Sequence, residues 1–353
     1  RTKYQKLGSF LSRKLPIKQP RMLKNYLIGI NSLTTINFKT PVQQYLPQVE
    51  ERMRDQSVGH HPDLKSAVEH LLASGGKRVR PILCLLAGEM LGSDLQRTIT
   101  LAAAVEMLHT ATLVHDDMID GALLRRGNPT LNSKWSPAAT ILTGDFIFAR
   151  AAKLAAETDS IEVMNLFAQT LSDIVNGEIT QMFKSRGLVS RDDYFERIYA
   201  KTASMFELAT VAPIYLSEGK DELSSIMKTF GYEIGMAFQI VDDILDFTGA
   251  QANVGKPVAS DLRQGLVTLP ALIYIEENPN DEDFMRALNG GNGDDALMTR
   301  LVSSIRESGA VEKSLSQAKK YVSRGLASLN ELPMSEERKA LEDLARYIVD
   351  RDF

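Results

Sequence analysis

Cysteine is almost missing: Cys84 is the only one in 353 residues, and it lies in the apolar run Ile82-Leu83-Cys84-Leu85-Leu86. An intrachain disulfide is therefore excluded, a reducing cytosol or matrix fits, and the thiol is expected to be a small core residue. No run of 18 or more apolar residues occurs, which argues against a membrane-spanning helix. Strand signals are scarce, because no Asn-Gly turn separates alternating runs and the β-branched residues fall on helical faces. The Gly-x-x-x-x-Gly-Lys-Ser/Thr phosphate loop is absent, and no basic, aromatic-interleaved module speaks for nucleic acid. Acidic residues are missing altogether from residues 1–49, which carry nine Lys or Arg. The remainder has 32 basic against 45 acidic side chains, a net −13 that the whole-chain value of −4 conceals. Such a segment suits a transit peptide, an arm lying on anionic lipid, or a partly ordered extension. The expected location is thus cytoplasmic with peripheral membrane contact, or an organellar matrix if residues 1–49 include a transit remnant.

What is present is helical. Apolar residues make up 44% and charged ones 24%, enough for a sizeable core. From Pro41 onward, periodicity predicts helices over residues 41–57, 63–73, 81–90, 94–120, 137–157, 160–184, 191–199, 200–217 and 221–247, then four shorter ones from Thr268 to the C-terminus. Pro81 and Gly92 bracket the third, Asp94 and Asp221 are candidate N-caps of the two long helices, and residues 121–137 form a loop. The fold class is all-α: a basic extension over residues 1–40, then one helical-bundle domain with a central apolar cavity over 41–353.

Two stretches answer each other across this pattern: Leu113-Val114-His115-Asp116-Asp117-Met118-Ile119-Asp120 and Ile240-Val241-Asp242-Asp243-Ile244-Leu245-Asp246. Each sets Asp-Asp-x-x-Asp in an apolar run, so the first and last carboxylates stand one turn apart on one helix face. Like charges so placed cost roughly 0.2–0.5 kcal/mol per pair in water, and more when buried. A shared divalent cation is the usual reason to keep two such sets. His109, two turns before Asp116, could be a metal ligand or a hydrogen-bond donor. Gly231 and Gly235, below Asp242, either admit a neighbouring helix or leave room. Charge of the opposite sign gathers in Gly75-Gly76-Lys77-Arg78-Val79-Arg80-Pro81, at a helix start where N–H groups also attract anions, and in Arg125-Arg126-Gly127. A diphosphate bridged by metal ions is activated as a leaving group, whereas one gripped by Lys and Arg is held. A chain with both holders above an apolar shaft would ionise one hydrophobic diphosphate and join it to another.

These residues resemble the trans-prenyl (polyprenyl, isoprenyl) diphosphate synthases over roughly residues 45–353. The likeness rests on five motifs in order: residues 75–81, the Asp set at 116–120 with Arg125-Arg126-Gly127, Lys201-Thr202, Phe238-Gln239 with the second Asp set, and Gly255-Lys256 before Ser260-Asp261-Leu262. It implies Mg2+, three ions per site, on Asp116, Asp120 and Asp242, with Asp117, Asp243 and Asp246 orienting waters and ligands behind them. It implies that Arg125, Lys201 and Lys256 contact an allylic diphosphate, that Lys77, Arg80, His109 and Arg126 bind isopentenyl diphosphate, and that Thr202 and Gln239 present oxygens to the allylic cation. Lys201, Thr202 and Gln239 are thus the expected catalytic residues, and the proton is lost to the departing diphosphate, no His–carboxylate pair being evident. Where many relatives carry a second Lys after the Asp-Leu pair, this chain has Leu266; Arg263 substitutes, or the contact is dispensable.

In this family, bulky side chains four and five positions before the first Asp keep products short. Here these are Thr112 and Ala111, both small, with Leu108 and Val105 roughly 12 and 16 Å below Asp116 at 1.5 Å per residue. Ala111, Thr112 and Leu108 are therefore the chain-length candidates, and Met182 and Phe183 the candidates for a lower stop. The expected product is longer than farnesyl, such as a quinone side-chain precursor, with geranylgeranyl diphosphate the alternative. Two other readings compete. A class I terpene cyclase would lack the Lys and Arg set and replace the second Asp cluster. A non-catalytic partner subunit would have lost one cluster. Family members are commonly homodimers, and some long-chain forms need a dissimilar partner.

Overall fold

The structure is a computed structural model and describes residues 38–125, 127–184, 189–218, 221–249 and 258–351. Arg126, Lys256 and the extension through residue 37 lie outside the described residues. The architecture is all-α. Helices α1 (Leu46–Asp55) and α2 (Pro62–Ala73) lead into α3 (Val79–Leu91), α4 (Leu95–Ile119), α5 (Pro137–Ala156) and α6 (Ile161–Lys184). After α7 (Arg191–Ile198) and α8 (Ser204–Val211) comes the second long central helix, α9 (Ser224–Thr248). The short α10 (Ser260–Arg263) precedes α11 (Leu269–Glu277), α12 (Glu282–Leu288), α13 (Asp295–Glu307), α14 (Ala310–Leu329) and α15 (Glu336–Val349). One minimal hairpin, β1 (Leu124–Arg125) against β2 (Asn128–Pro129), pairs antiparallel after α4.

Local signals set most boundaries. The Asp94 carboxylate accepts from the Arg97 N–H at 2.8 Å to start α4, and the Ser136 hydroxyl caps α5 with Pro137 at its first position. Gly92 closes α3 in the left-handed region, φ 69°. Helix α4 buries residues on every side, from Ile99 and Leu101 through Leu108 to Val114, so it runs through the core rather than over it. Cys84 is buried in α3, as expected, and burial raises its thiol pKa.

Several elements depart from the expected pattern. Helix α3 begins at Val79, not Pro81; Pro81 is tolerated because its missing N–H falls within the first turn, where no intrahelical partner exists. The span 200–217 is not one helix. Tyr199–Ala203 is π-helical, Ser204–Val211 is α-helical, and Ala212–Leu216 tightens to a 3-10 helix around Pro213. Asp221–Leu223 is a 3-10 turn, so α9 starts at Ser224. Five helices, not four, follow Thr268, because Asp281 and Asp294 each cap a separate start around the Gly291–Gly293 turn. The two glycines of α9 admit a neighbouring helix: a Cβ on Gly235 would lie 2.6 Å from Ala203 Cα, and one on Gly231 would lie 2.8 Å from Glu207 Cα.

Candidate active site

Helices α4 and α9 form opposite walls of a cavity of about 470 Å3. From α4 come His109, Thr112, Leu113, Asp116 and Asp120; from α9, Phe238, Gln239, Asp242 and Asp243. Between them stand Ile174 and Glu178 of α6, then Lys201, Thr202 and Met205. A second cavity, also about 470 Å3, is lined by Lys77, Arg78, Tyr347 and Arg351, and it shares Arg80, His109, Phe238 and Asp242 with the first. Two compartments of different sign thus meet along one wall.

The first Asp set is asymmetric because a helix turns 100° per residue. Asp116 and Asp120 line the cavity. Asp117 points away, is buried, and accepts from Arg125 Nε at 2.8 Å and Nη2 at 2.7 Å. This two-pronged bond fixes the Arg125 guanidinium at the cavity wall. Opposite, Lys201 Nζ lies 2.7 Å from Glu178 Oε1 and 3.3 Å from Asp116 Oδ2. Burial raises the Asp116 pKa against the pull of Lys201. Burial also works against the Lys201 charge, but Asp116 and Glu178 outweigh it and its pKa is raised. The π-helical turn at Tyr199–Ala203 presents this lysine, and Gly177 lets α6 approach it: a Cβ there would lie 2.5 Å from Ala200 Cβ.

The second Asp set distributes its work differently. Asp242 Oδ1 accepts from Arg351 Nη1 at 2.8 Å. Asp243 is buried and ends a chain: Thr202 Oγ1 donates to Gln239 Oε1 at 2.6 Å, Gln239 Nε2 donates to Asp243 Oδ1 at 2.8 Å, and Tyr194 OH donates to Asp243 Oδ2 at 2.8 Å. Burial pushes the Asp243 pKa up to about 6, while the Gln239 and Tyr194 bonds hold it down. An acceptor-only carboxylate at this end dictates that the Gln239 amide turns its oxygen toward Thr202. Asp246 faces away from the cavity and accepts from Ser260 N, Ser260 Oγ and Asp261 N. It thereby anchors the turn whose Asp261 does line the cavity.

The basic loop also divides its labour. Arg78 sits in the left-handed region, φ 52°, and points inward to Glu50 at 3.3 Å, Glu106 at 3.0 Å and the Leu72 carbonyl at 3.1 Å. It is a brace for the loop, leaving Lys77 and Arg80 at the cavity walls. Arg263 does not replace the missing lysine: its guanidinium turns to Asp295 at 2.6 Å and to the Val258 carbonyl at 3.2 Å, while Gln264 and Leu266 line the cavity.

Of the chain-length candidates, Thr112 lines the cavity, whereas Ala111 and Leu108 are fully buried outside its described lining. Phe183 is 85% exposed and lies outside the described lining, whereas Met182, 54% exposed, lines the cavity together with the apolar Ile174, Ile198 and Met205. A His–carboxylate pair does exist, His115 with Asp145 at 3.3 Å, but it belongs to the α4–α5 contact and not to the described cavity lining. Glu178, Tyr194, Tyr347 and Arg351 were not read from the sequence. Only Glu178 had a local signal, a carboxylate on an otherwise apolar helix face.

Among the described residues, no three His, Cys, Asp or Glu side chains converge into a preformed metal cage. The donors nevertheless suit Mg2+, which is held by one or two carboxylates plus substrate phosphate oxygens. Here Asp116 and Asp120 offer oxygens on one wall and Asp242 on the other.

A sequence model described as polyprenyl synthetase matches residues 61–305. The chain is 39% identical over 311 residues to heptaprenyl diphosphate synthase component 2 of Geobacillus stearothermophilus, covering 87% of this chain and 96% of that protein. It is 34% identical over 322 residues to the all-trans-nonaprenyl-diphosphate synthase (geranyl-diphosphate specific) of Rhodobacter capsulatus, covering 90% and 99%. Among solved structures it is similar to a polyprenyl synthase from Caulobacter crescentus CB15 complexed with calcium and isoprenyl diphosphate. The TM-score is 0.85 and the identity 35%, over 89% of this chain and 97% of that one.

Proposed function

The chain belongs to the polyprenyl synthetase family and is a prenyltransferase, and on that premise we propose that it condenses isopentenyl diphosphate with an allylic prenyl diphosphate, in the presence of Mg2+, to give an all-trans product longer than farnesyl diphosphate. The observation that carries the reading is the shared wall. Two adjoining cavities, one walled by Asp116, Asp120 and Asp242 and the other by Lys77 and Arg80, suit two diphosphates side by side. The calcium and isoprenyl diphosphate named with the Caulobacter protein fit the same pairing.

Asp116, Asp120 and Asp242 would hold the metal ions. When bound, Mg2+ would neutralise charge on the allylic diphosphate and so assist C–O cleavage. Lys201 and Arg125 bind that diphosphate from the protein side, and their position beside Asp116 and Asp117 fixes where it lies. The Thr202–Gln239–Asp243 chain orients oxygen lone pairs toward the apolar part of the cavity, where the allylic cation develops. Lys77, Arg80 and His109 hold isopentenyl diphosphate in the adjoining compartment, which sets its double bond against the cation. The departing diphosphate takes the proton.

Product length beyond farnesyl follows from the small Thr112 at the cavity wall and agrees with the hepta- and nonaprenyl names of the relatives. A homodimer is the proposed assembly, covering the exposed Ile141 and Leu142 of α5 and Val175 and Ile179 of α6. The relatives named component 2 make a dissimilar partner the second reading. Labelled isopentenyl diphosphate should enter extractable lipid only with an allylic primer and Mg2+. Full rates retained by both Asp116→Ala and Asp242→Ala would remove the mechanism.

A further inference from the structure

Each wall of the acidic cavity carries a protein cation where a metal ion would bind. On α4 it is Lys201, which has Glu178 as a second carboxylate partner. On α9 it is Arg351, just beyond the end of α15, and its circumstances differ. Nη1 donates to Asp242 Oδ1 at 2.8 Å, Nη2 to the Phe238 carbonyl at 3.3 Å, and Nε to the Ile348 carbonyl at 3.2 Å, while the guanidinium lies 4.3 Å from the centre of the Phe238 ring. Its side chain is 11% exposed. Asp242 thus supplies the charge that balances it; the other partners are carbonyls and a ring face. Tyr347, one turn earlier, meets Lys77 of the basic loop, so the end of α15 lines the basic compartment and reaches its shared wall at Asp242.

We infer that Arg351 is a displaceable counter-ion of Asp242: it occupies the carboxylate in the metal-free protein, and metal binding there expels it and loosens the end of α15. This rests on the Mg2+ reading given above. A divalent ion on Asp242 sets like charge close to the guanidinium and competes with it for the one carboxylate that balances both, so metal binding there weakens the Arg351 pair. Expulsion leaves the guanidinium among Lys77 and Arg80, where an anion in the basic compartment restores its balance. Metal occupancy on one side of the shared wall is therefore coupled to anion binding on the other, and the coupling is reciprocal.

The test is Mg2+ titration of the full chain by calorimetry without any diphosphate, combined with amide hydrogen exchange of residues 340–351. The parent, Arg351→Gln, Arg351→Lys and Asp242→Asn are compared. The expected result is Mg2+ binding at least threefold tighter in Arg351→Gln, near-parent affinity in Arg351→Lys, and Mg2+-accelerated exchange of residues 340–351 in the parent but not in Arg351→Gln. Loss of Mg2+ binding in Asp242→Asn together with unchanged affinity in Arg351→Gln would overturn the displacement while leaving the metal reading standing. Mg2+ binding that Asp242→Asn does not weaken would overturn both.

Discussion

Replacing Thr112 by Phe should shorten the product, and replacing Ala111 by Phe should instead unsettle the fold. Thr112 stands one turn below Asp116, about 6 Å along the helix at 1.5 Å per residue. Its side chain forms part of the wall of the cavity that Ile174 and Met205 also line. A ring there closes the shaft beneath the diphosphate-binding groups without touching Asp116, Lys201 or Gln239. The first additions should keep near-parent rates, and the product distribution should fall by at least one five-carbon unit. Ala111 is fully buried and lies outside the described cavity lining. Six added heavy atoms at this fully packed position overpack it, at a cost of about 1–3 kcal/mol, lowering the thermal midpoint by a few degrees or more. Product chromatography of the dephosphorylated alcohols, with thermal denaturation of the same preparations, separates the two effects. Parent-length product from an active Thr112→Phe enzyme would refute the placement of the shaft, and so would Ala111→Phe shortening the product at an unchanged midpoint.

Burial pushes the Asp243 pKa up to about 6, above the ordinary carboxylate value near 3.9. Keeping it charged therefore opposes folding; the opposition is complete above about pH 6 and vanishes as pH falls toward the unfolded-state value. Tyr194→Phe removes a bond that favours the charged form, so the Asp243 titration, followed by carbon NMR, should move upward, and the metal-free variant should gain stability on acidification more steeply than the parent. An unmoved titration would contradict the chain from Tyr194 to Thr202. Gly235→Ala sets a methyl 2.6 Å from Ala203 Cα. The overpacking, about 1–3 kcal/mol, should exceed the roughly 1 kcal/mol gained in helix propensity. Reduced turnover should accompany the lower midpoint, because Gln239 lies one turn above; full turnover and an unchanged midpoint would mean that the helices are not in close approach.

The parts of this site that were legible in sequence are those where chemistry interrupts a local pattern. Charges inside apolar helical runs announce themselves, and Asp116, Asp120 and Asp242 do line one cavity with Lys201, Thr202 and Gln239. Helix starts with a capping side chain were equally plain, as at Asp94. What stayed hidden depends on partners distant along the chain. Arg351 reaches Asp242 across 109 positions, and Tyr194 reaches Asp243 across 49; each looks like an ordinary side chain of its own segment. Periodicity places a residue on a face but does not say which neighbour covers that face. For this reason Phe183 looked like a shaft residue although it faces outward, and Ala111 looked like wall although it is packed. The number of helices after Thr268 was misread because caps at Asp281 and Asp294 break an amphipathic pattern that runs nearly continuously.

The wide turn at Tyr199–Ala203 makes this stretch sensitive to insertion and deletion in a way point substitution does not reveal. Lys201 and Thr202 are neighbours in sequence, yet one meets Asp116 and Glu178 while the other meets Gln239. In regular α-helix, adjacent residues diverge by 100°. Losing one residue here would restore ordinary i→i+4 bonding and swing all of α8 by that angle, carrying Met205 out of the cavity and breaking the contact with Gly231 and Gly235. Length in this segment is therefore under tighter constraint than composition, and chains that diversify this active site should do so by exchanging side chains around a bulge of fixed size.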